Sequence, residues 1–378
     1  MPEPLRGWPQ SSILSDLVGA EGQRGRGAET LVCNQAQPVG YVPYSHDLDR
    51  PADRRRFPRY AAIRSLPFNT VSGWQDSQTI VLSTAADITR WVRAPSSCRI
   101  VVDLPDAFLD ECPGWKRTVR GLAKWTGGEL RRPVLDYHQS VERLLERADA
   151  VVCSTDEQVA RIARHCPNVH PILDLHGEIE CLQPSIRASD GLDIMWEGLT
   201  ATLPAVRSVL SALRAMSAQT DVRLHLVTDL VAPRYMNRFL VSRTEDVVSD
   251  WGIEVRLHQW SIDTLTEVAR GCDIAIVPVD LADPMALGKP ENRMRIFWRL
   301  GLPVVASASP ANVRAASLAG LGDRVLCSTA DDWRRTLESL HARPEDRLAI
   351  ATAGQETALT VYSEESLAQR WDRLFESL

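Results

Sequence analysis

The feature that most constrains this chain is a series of short β-branched runs that occurs twice. Its first copy reads "TIVLST" (79–84), "RIVVDLPD" (99–106), "AVVCST" (150–155) and "HPILDLHGE" (170–178), and each run ends in small polar or acidic residues. Between the runs lie amphipathic stretches such as "SVERLLERADA", where Val141, Leu144, Leu145 and Ala148 recur at helical spacing. After the polar stretch "CLQPSIRASDG" (181–191) the series restarts with "LDIMWEG" (192–198), "VRLHLVTD" (222–229), "IEVRLHQW" (253–260), "CDIAIVPVD" (272–280), "PVVAS" (303–307) and "RVLCST" (324–329). Strands that are apolar on both faces and alternate with helices require a parallel sheet covered on both sides. At 378 residues the chain also exceeds the ~250–300 residues at which one core stops growing. The expected fold class is therefore α/β, with two successive doubly wound Rossmann-like domains. The expected partition is a flexible arm over 1–30, a first domain over 31–187, a second over 188–362 and a terminal segment over 363–378.

Composition removes several function classes. A net charge of -6 gives no electrostatic case for a nucleic-acid partner. The eight cysteines form no C-x-x-C pair, which suggests neither a zinc site nor a disulfide framework and fits a reducing cytoplasm. No run of eighteen apolar residues and no secretory h-region occurs. His46, His138, His165, His170, His176 and His258 lack metal-ligand spacing, and no G-x-S-x-G, Walker A or G-x-G-x-x-G sequence is present. The basic triplet Arg54, Arg55 and Arg56 before Phe57 reads as the solvated face of a helix, or as a peripheral contact with anionic lipid or an acidic acceptor.

In doubly wound sheets ligands sit beyond the carboxyl ends of the strands. Here those ends carry Ser83, Thr84, Asp103, Asp106, Ser154, Thr155, Glu197, Thr228, Asp229, Trp260, Pro278 and Ser307. Any one serine or aspartate after a strand also serves as an ordinary helix N-cap. The segment "GKPENRMRIFWRLGLPVVAS" (288–307) stands out. Its spacing predicts a helix from Pro290 to Leu300 closed by Gly301, with Ile296, Phe297 and Leu300 buried. The free N–H groups of its first turn then lie beside Lys289, Asn292 and Arg293. Lys289 is a mobile point charge and Arg293 a bidentate fork, a pair suited to a diphosphate leaving group. The alternative is a solvated basic surface, with Glu291 already offsetting the helix dipole.

The stretch "CDIAIVPVDLADPMALGKPENRMRIFWRLGLPVVASASP" (272–310) resembles the donor-binding region of GT-B glycosyltransferases related to family 4 and similar retaining, bacterial enzymes. A strand ending in proline, a K-x-x-N-R turn, a helix and "G-x-P-V-V-A-S" follow in that family's order. "IMWEGLTATLPAVRSVLSALRAM" looks like the start of the family's donor domain and "VYSEESLAQRWDRLFESL" (361–378) like its closing helix, so the resemblance implies two domains facing a cleft, with the helix over 363–378 returning to the first. "YVPYSHDLDRPADRRRFPRYAAIRSLPFN" (41–69) looks like part of an acceptor domain. The resemblance implies retaining, metal-independent transfer of a sugar from a nucleotide sugar to a glycan, lipid-linked or small-molecule acceptor, with no further cofactor. Lys289 and Arg293 would then stabilise the departing diphosphate and Asn292 would orient it. Glu197, Gly198, Thr228, Asp229, Trp260, Pro278 and Ser307 fall on the donor side, and Tyr44, Ser45, Asp103 and Asp106 on the acceptor side.

Two departures from the family pattern matter. Many members carry a ribose-binding glutamate five residues before the Gly-x-Pro, where this chain has Ile296. The stretch after the donor domain's first strand, "WEGLTATLPAV", lacks the usual basic residues, and Arg207 lies about two turns further on. The alternative function is accordingly a catalytically inactive GT-B-like binding or scaffold protein. A metal-dependent GT-A reading would rest on the D-x-D at Asp47–Asp49, which follows "YVPYSH" rather than several nucleotide-binding strands. The basic cluster near Lys289 neutralises the same leaving-group charge without a metal.

Overall fold

A computed structural model describes residues 38–110, 114–187, 191–234 and 237–378; the arm expected over residues 1–30 lies outside them. Strands β1 (Val39–Val42), β2 (Phe68–Thr70), β3 (Thr79–Leu82), β4 (Arg99–Asp103), β5 (Ala150–Cys153) and β6 (Val169–Pro171) form one parallel sheet in the order β2-β1-β3-β4-β5-β6. A second parallel sheet uses β7 (Leu192–Glu197), β8 (Val222–Thr228), β11 (Glu254–Gln259), β12 (Ile274–Val277), β13 (Val304–Ser307) and β14 (Leu326–Cys327), in the order β11-β8-β7-β12-β13-β14. Central strands such as β5, β7, β12 and β13 are buried along their whole length, as continuous apolar runs demand. This is the two-sheet α/β architecture that the restarted pattern predicts.

Local differences have local causes. β1 and β2 precede the first recognised run, because "VGYV" and "FNT" are short and broken by glycine or polar residues. The run at 170–178 pairs only through Pro171 and then crosses to the second domain as buried extended chain, with Ile172, Leu173, Leu175 and Ile179 in the core. The single stripe from Leu203 to Leu213 divides into a 3-10 helix Thr200–Ser208 and an α-helix Leu210–Ser217. Pro204 inside the first piece lacks the N–H an α-helix needs. An unexpected antiparallel pair, β9 (Val231–Arg234) and β10 (Asn237–Arg243), stands apart from both sheets.

The last helix, Glu364–Glu376, lies against helix Phe57–Ile63 of the first domain. Tyr60 stacks on Trp371 at 5.5 Å and on Phe375 at 5.6 Å, while Arg59 pairs with Glu364 and Arg64 with Asp372. The basic triplet is not a solvated face. Arg56 is 1% exposed, its Nε donates to Asp103 at 3.0 Å and its Nη1 to the Ile172 carbonyl at 2.7 Å. Arg55 pairs with Glu178, and Arg54 reaches the same carboxylate at 3.0 Å with its guanidinium 5.4 Å above the Trp260 ring. An arginine is tolerated inside because each charge meets a carboxylate or carbonyl. A lipid contact through these residues is thereby excluded.

Candidate functional site

The order of the second sheet reverses between β7 and β12, and a doubly wound sheet opens its ligand crevice at such a point. A cleft of about 480 Å³ lies there, a size that suits a small organic ligand. Its walls are the 3-10 helix after β7, the loop Pro278–Asp283 after β12, the end of β13 at Ser307, the end of β14 with Ser328 and Thr329, and Trp333. Lys289 and Arg293 close it from the helix side.

The helix that carries Arg293 spans Asn292–Arg299, starting two residues after Pro290 and ending one residue short of Leu300, and Gly301 follows it at φ 69. That positive φ favours glycine. Met294, Ile296, Phe297 and Trp298 are buried, so Ile296 is a core residue with no polar function. Glu291 occupies the N-cap position, buried, and its carboxylate accepts a hydrogen bond from Tyr362 Oη at 2.9 Å. This carboxylate takes up part of the helix's positive end. Attraction for an anion therefore falls mainly on the two side chains.

Arg293 is the sharper of the two. Its guanidinium sits 5.8 Å from the Trp196 ring, and Nη1 is buried without a hydrogen-bond partner. Burial lowers its pKa while Glu197 opposes that shift. A buried donor left unpaired costs roughly 1–3 kcal/mol, which an anionic ligand would recover. Lys289 makes no ion pair with any described residue, and Asp106, a carboxylate on which its charge acts, is exposed. The turn that presents Lys289 is clamped by the first domain: Thr155 Oγ1 and Gln158 Nε2 each donate to the Gly288 carbonyl at 3.2 Å. A Cβ on Gly288 would lie 2.5 Å from that of Ala107.

Among the other predicted residues, Pro278 and Ser307 line the cleft; Ser307 Oγ accepts from the Val279 N–H at 2.9 Å and fixes the loop after β12. Glu197 is buried and accepts from Trp260 Nε1 at 3.0 Å, so these two form a bonded pair beside Arg54 rather than a cleft wall. Gly198 packs against Trp196 and Thr202, where a Cβ would come within 2.9 Å. Thr228 is fully buried, and the Asp229 carboxylate accepts from Gln259 at 3.2 Å. Four assignments are corrected. Asn292 is not part of the cleft lining: its amide nitrogen donates to Asp174 at 2.9 Å and its oxygen accepts from Arg295 at 3.1 Å. Asp103 is closed off under Arg56. Ser45 Oγ donates to the buried Asp53 at 2.7 Å, and that carboxylate also accepts from the Tyr44 N–H at 2.7 Å; both residues thus tie the loop after β1 to the domain, and only the Tyr44 ring remains exposed. Asp106 is exposed and is not among the residues that line the cleft. No cluster among the described residues is arranged to hold a metal ion.

The sequence reading missed Thr202, Asp280, Asp283, Thr329 and Trp333 as cleft residues. Two of them carried a signal. Asp283 precedes Pro284 and caps the turn leading to Lys289, and Thr329 ends a recognised strand run and caps helix Ala330–Ala342.

No protein-family model matches the sequence, and no curated protein matches it. Solved structures do share the fold. Anabaena Alr3699/HepE in complex with UDP and glucose superposes with a TM-score of 0.61 at 12% identity, over 90% of this chain and all of the other (100%). WaaG, a glycosyltransferase involved in lipopolysaccharide biosynthesis, gives 0.53 at 12% identity over 89% and 99%. TarM from S. aureus, crystallised with UDP, gives 0.54 at 10% identity over 80% of this chain, which spans only 55% of the TarM length. At such identities the likeness establishes the fold, the two-domain GT-B architecture.

Proposed function

We propose that the chain is a glycosyltransferase that takes a sugar from a nucleotide-diphosphate donor and passes it to an acceptor hydroxyl, with retention and without a metal. The observation that carries this reading is Arg293, whose buried Nη1 has no hydrogen-bond partner among the described residues and whose side chain lines, with Lys289, the cleft at the switch point of the second sheet. Fixed cations in a part-desolvated cleft stabilise charge as it develops on a departing diphosphate, the stage at which they contribute most. HepE and TarM contain UDP in their crystals, so UDP is the first nucleotide to test. Lys289 and Arg293 would hold the two phosphates, and the loop Pro278–Asp283 would lie along the donor. Calorimetric titration of the protein with UDP, GDP and ADP tests the reading; failure of all three to bind would overturn it. The catalytically inactive alternative is supported by Ile296, an apolar core residue where many such enzymes place a ribose acceptor. Binding of a nucleotide diphosphate with no turnover of any nucleotide sugar, including hydrolysis, would favour that alternative.

A further inference from the structure

With Arg54–Arg56 turned inward, the exposed cationic surface of the first domain lies elsewhere. Helix Trp115–Thr126 leaves Val119, Leu122 and Trp125 exposed by 49%, 36% and 43%, and Leu135 just beyond it by 72%. The first three are spaced three residues apart, on successive turns. The cause is a close approach on the opposite side, because Gly121 is buried so near the Val134 carbonyl that an added Cβ would stand 2.2 Å from its oxygen. The helix is pressed onto the 129–135 segment and its larger side chains are directed outward. Residues 115–135 also contain six basic side chains (Lys116, Arg117, Arg120, Lys124, Arg131 and Arg132) and one acidic, Glu129, a local charge of +5 in a chain whose net charge is -6. That single acid is engaged by Lys124, and Arg131 and Arg132 are exposed.

We infer that this face docks on an anionic lipid surface. Large apolar side chains inserted at the headgroup boundary, flanked by lysine and arginine, are what binding to such a surface requires. A nucleic acid or an acidic protein would use the cations but give no reason to keep four large apolar side chains in water. Position agrees with charge: Asp110, five residues before this helix in sequence, lies beside Gly288, the neighbour of the cleft residue Lys289, with its carboxylate 3.0 Å from where a Gly288 Cβ would be. Docking would bring that neighbourhood to the bilayer, whatever the cleft binds. No described helix is long and apolar enough to cross a membrane, so the contact is peripheral.

The test is co-sedimentation of the full chain with vesicles of phosphatidylcholine mixed with phosphatidylglycerol, and with vesicles of phosphatidylcholine alone. Pelleting is expected with the mixed vesicles only, and raised salt should weaken it. Two double variants, Leu122→Ser with Trp125→Ala and Arg131→Glu with Arg132→Glu, should each lower partitioning at least about tenfold. Both should keep the parent melting temperature, since all four side chains are exposed. The inference is overturned if mixed vesicles fail to pellet the protein, if both lipids pellet it equally, or if both variants pellet like the parent. Retention by heparin without vesicle binding would likewise overturn it in favour of a polyanionic partner. Nucleotide affinity is measured separately on the same samples, so the two readings fail independently.

Discussion

At the scale of single residues, the two cleft cations make the most direct claims. Removing a charge-assisted hydrogen bond costs ~1.5–3 kcal/mol, so Lys289→Ala and Arg293→Ala should each weaken nucleotide-diphosphate binding about ten- to a hundredfold by calorimetry. Arg299 is a control with a structural cost. Its Nε and Nη2 donate to the Ile179 carbonyl at 3.2 and 3.0 Å, so Arg299→Ala should lower the melting temperature and leave affinity near that of the parent. His176 makes a pH claim. It is buried, both ring nitrogens lack a partner, and burial first, then the charges of Arg295, Arg55 and Arg299, hold its pKa well below the ordinary imidazole value. Because the folded pKa lies below the unfolded one, only the unfolded chain takes up this proton as pH falls below about 6.5, and stability is lost in that direction. Other histidines with lowered values, His170, His225 and His258, act with the same sign. The difference between parent and His176→Leu isolates one group. The parent should lose up to about 1.4 kcal/mol more per pH unit below 6.5 in urea titrations. Parallel curves would refute it.

At the scale of elements, the cleft depends on how helix Asn292–Arg299 is held. Its buried face packs on helix Pro344–Leu359, where Gly354 meets the ring of Trp298; a Cβ there would stand 2.3 Å from the ring. Gly354→Ala would gain about 1 kcal/mol of helix propensity but force an overpacked contact that typically costs ~1–3 kcal/mol. Because Trp298 is fully buried and has nowhere to move, a net loss of stability is expected in denaturant unfolding. A stabilised variant would show that the two helices separate easily. The same helix displays the limits of periodicity. Its apolar spacing placed each of its ends to within two residues, yet Asn292 and Arg293, neighbours in the sequence, have opposite fates, one spent on Asp174 and the other lining the cleft.

At the scale of the molecule, the two sheets meet through the Gly288 clamp, the Asn292–Asp174 bond, the Arg314–Glu157 pair and the returning last helix. A ligand that binds only the folded cleft stabilises the whole by ~2.7 kcal/mol at a hundredfold excess over its Kd. UDP should therefore raise the melting temperature of the parent, and much less that of Arg293→Ala. If transfer is measured, the proposed role of Lys289 and Arg293 predicts that it persists in EDTA, because these two cations would supply the positive charge a metal otherwise provides; activity restored only by manganese or magnesium would overturn that expectation.

The sequence by itself determined the class of fold, because continuous apolar strands alternating with amphipathic helices have one way to bury both faces, and the pattern occurs twice. It also located the turn at Lys289 and Arg293, since proline, glycine and helical spacing are local signals. What it left undecided was direction. Arg54, Arg55 and Arg56 look like a surface triplet in a list of residues, and only the placement of Asp103, Asp174 and Glu178 turns them inward. The exposed apolar face of helix Trp115–Thr126 likewise follows from Gly121 meeting the Val134 carbonyl, a contact between chain segments that no periodicity encodes. Local chemistry fixes which elements form; which side of each one faces water is decided by what packs against it.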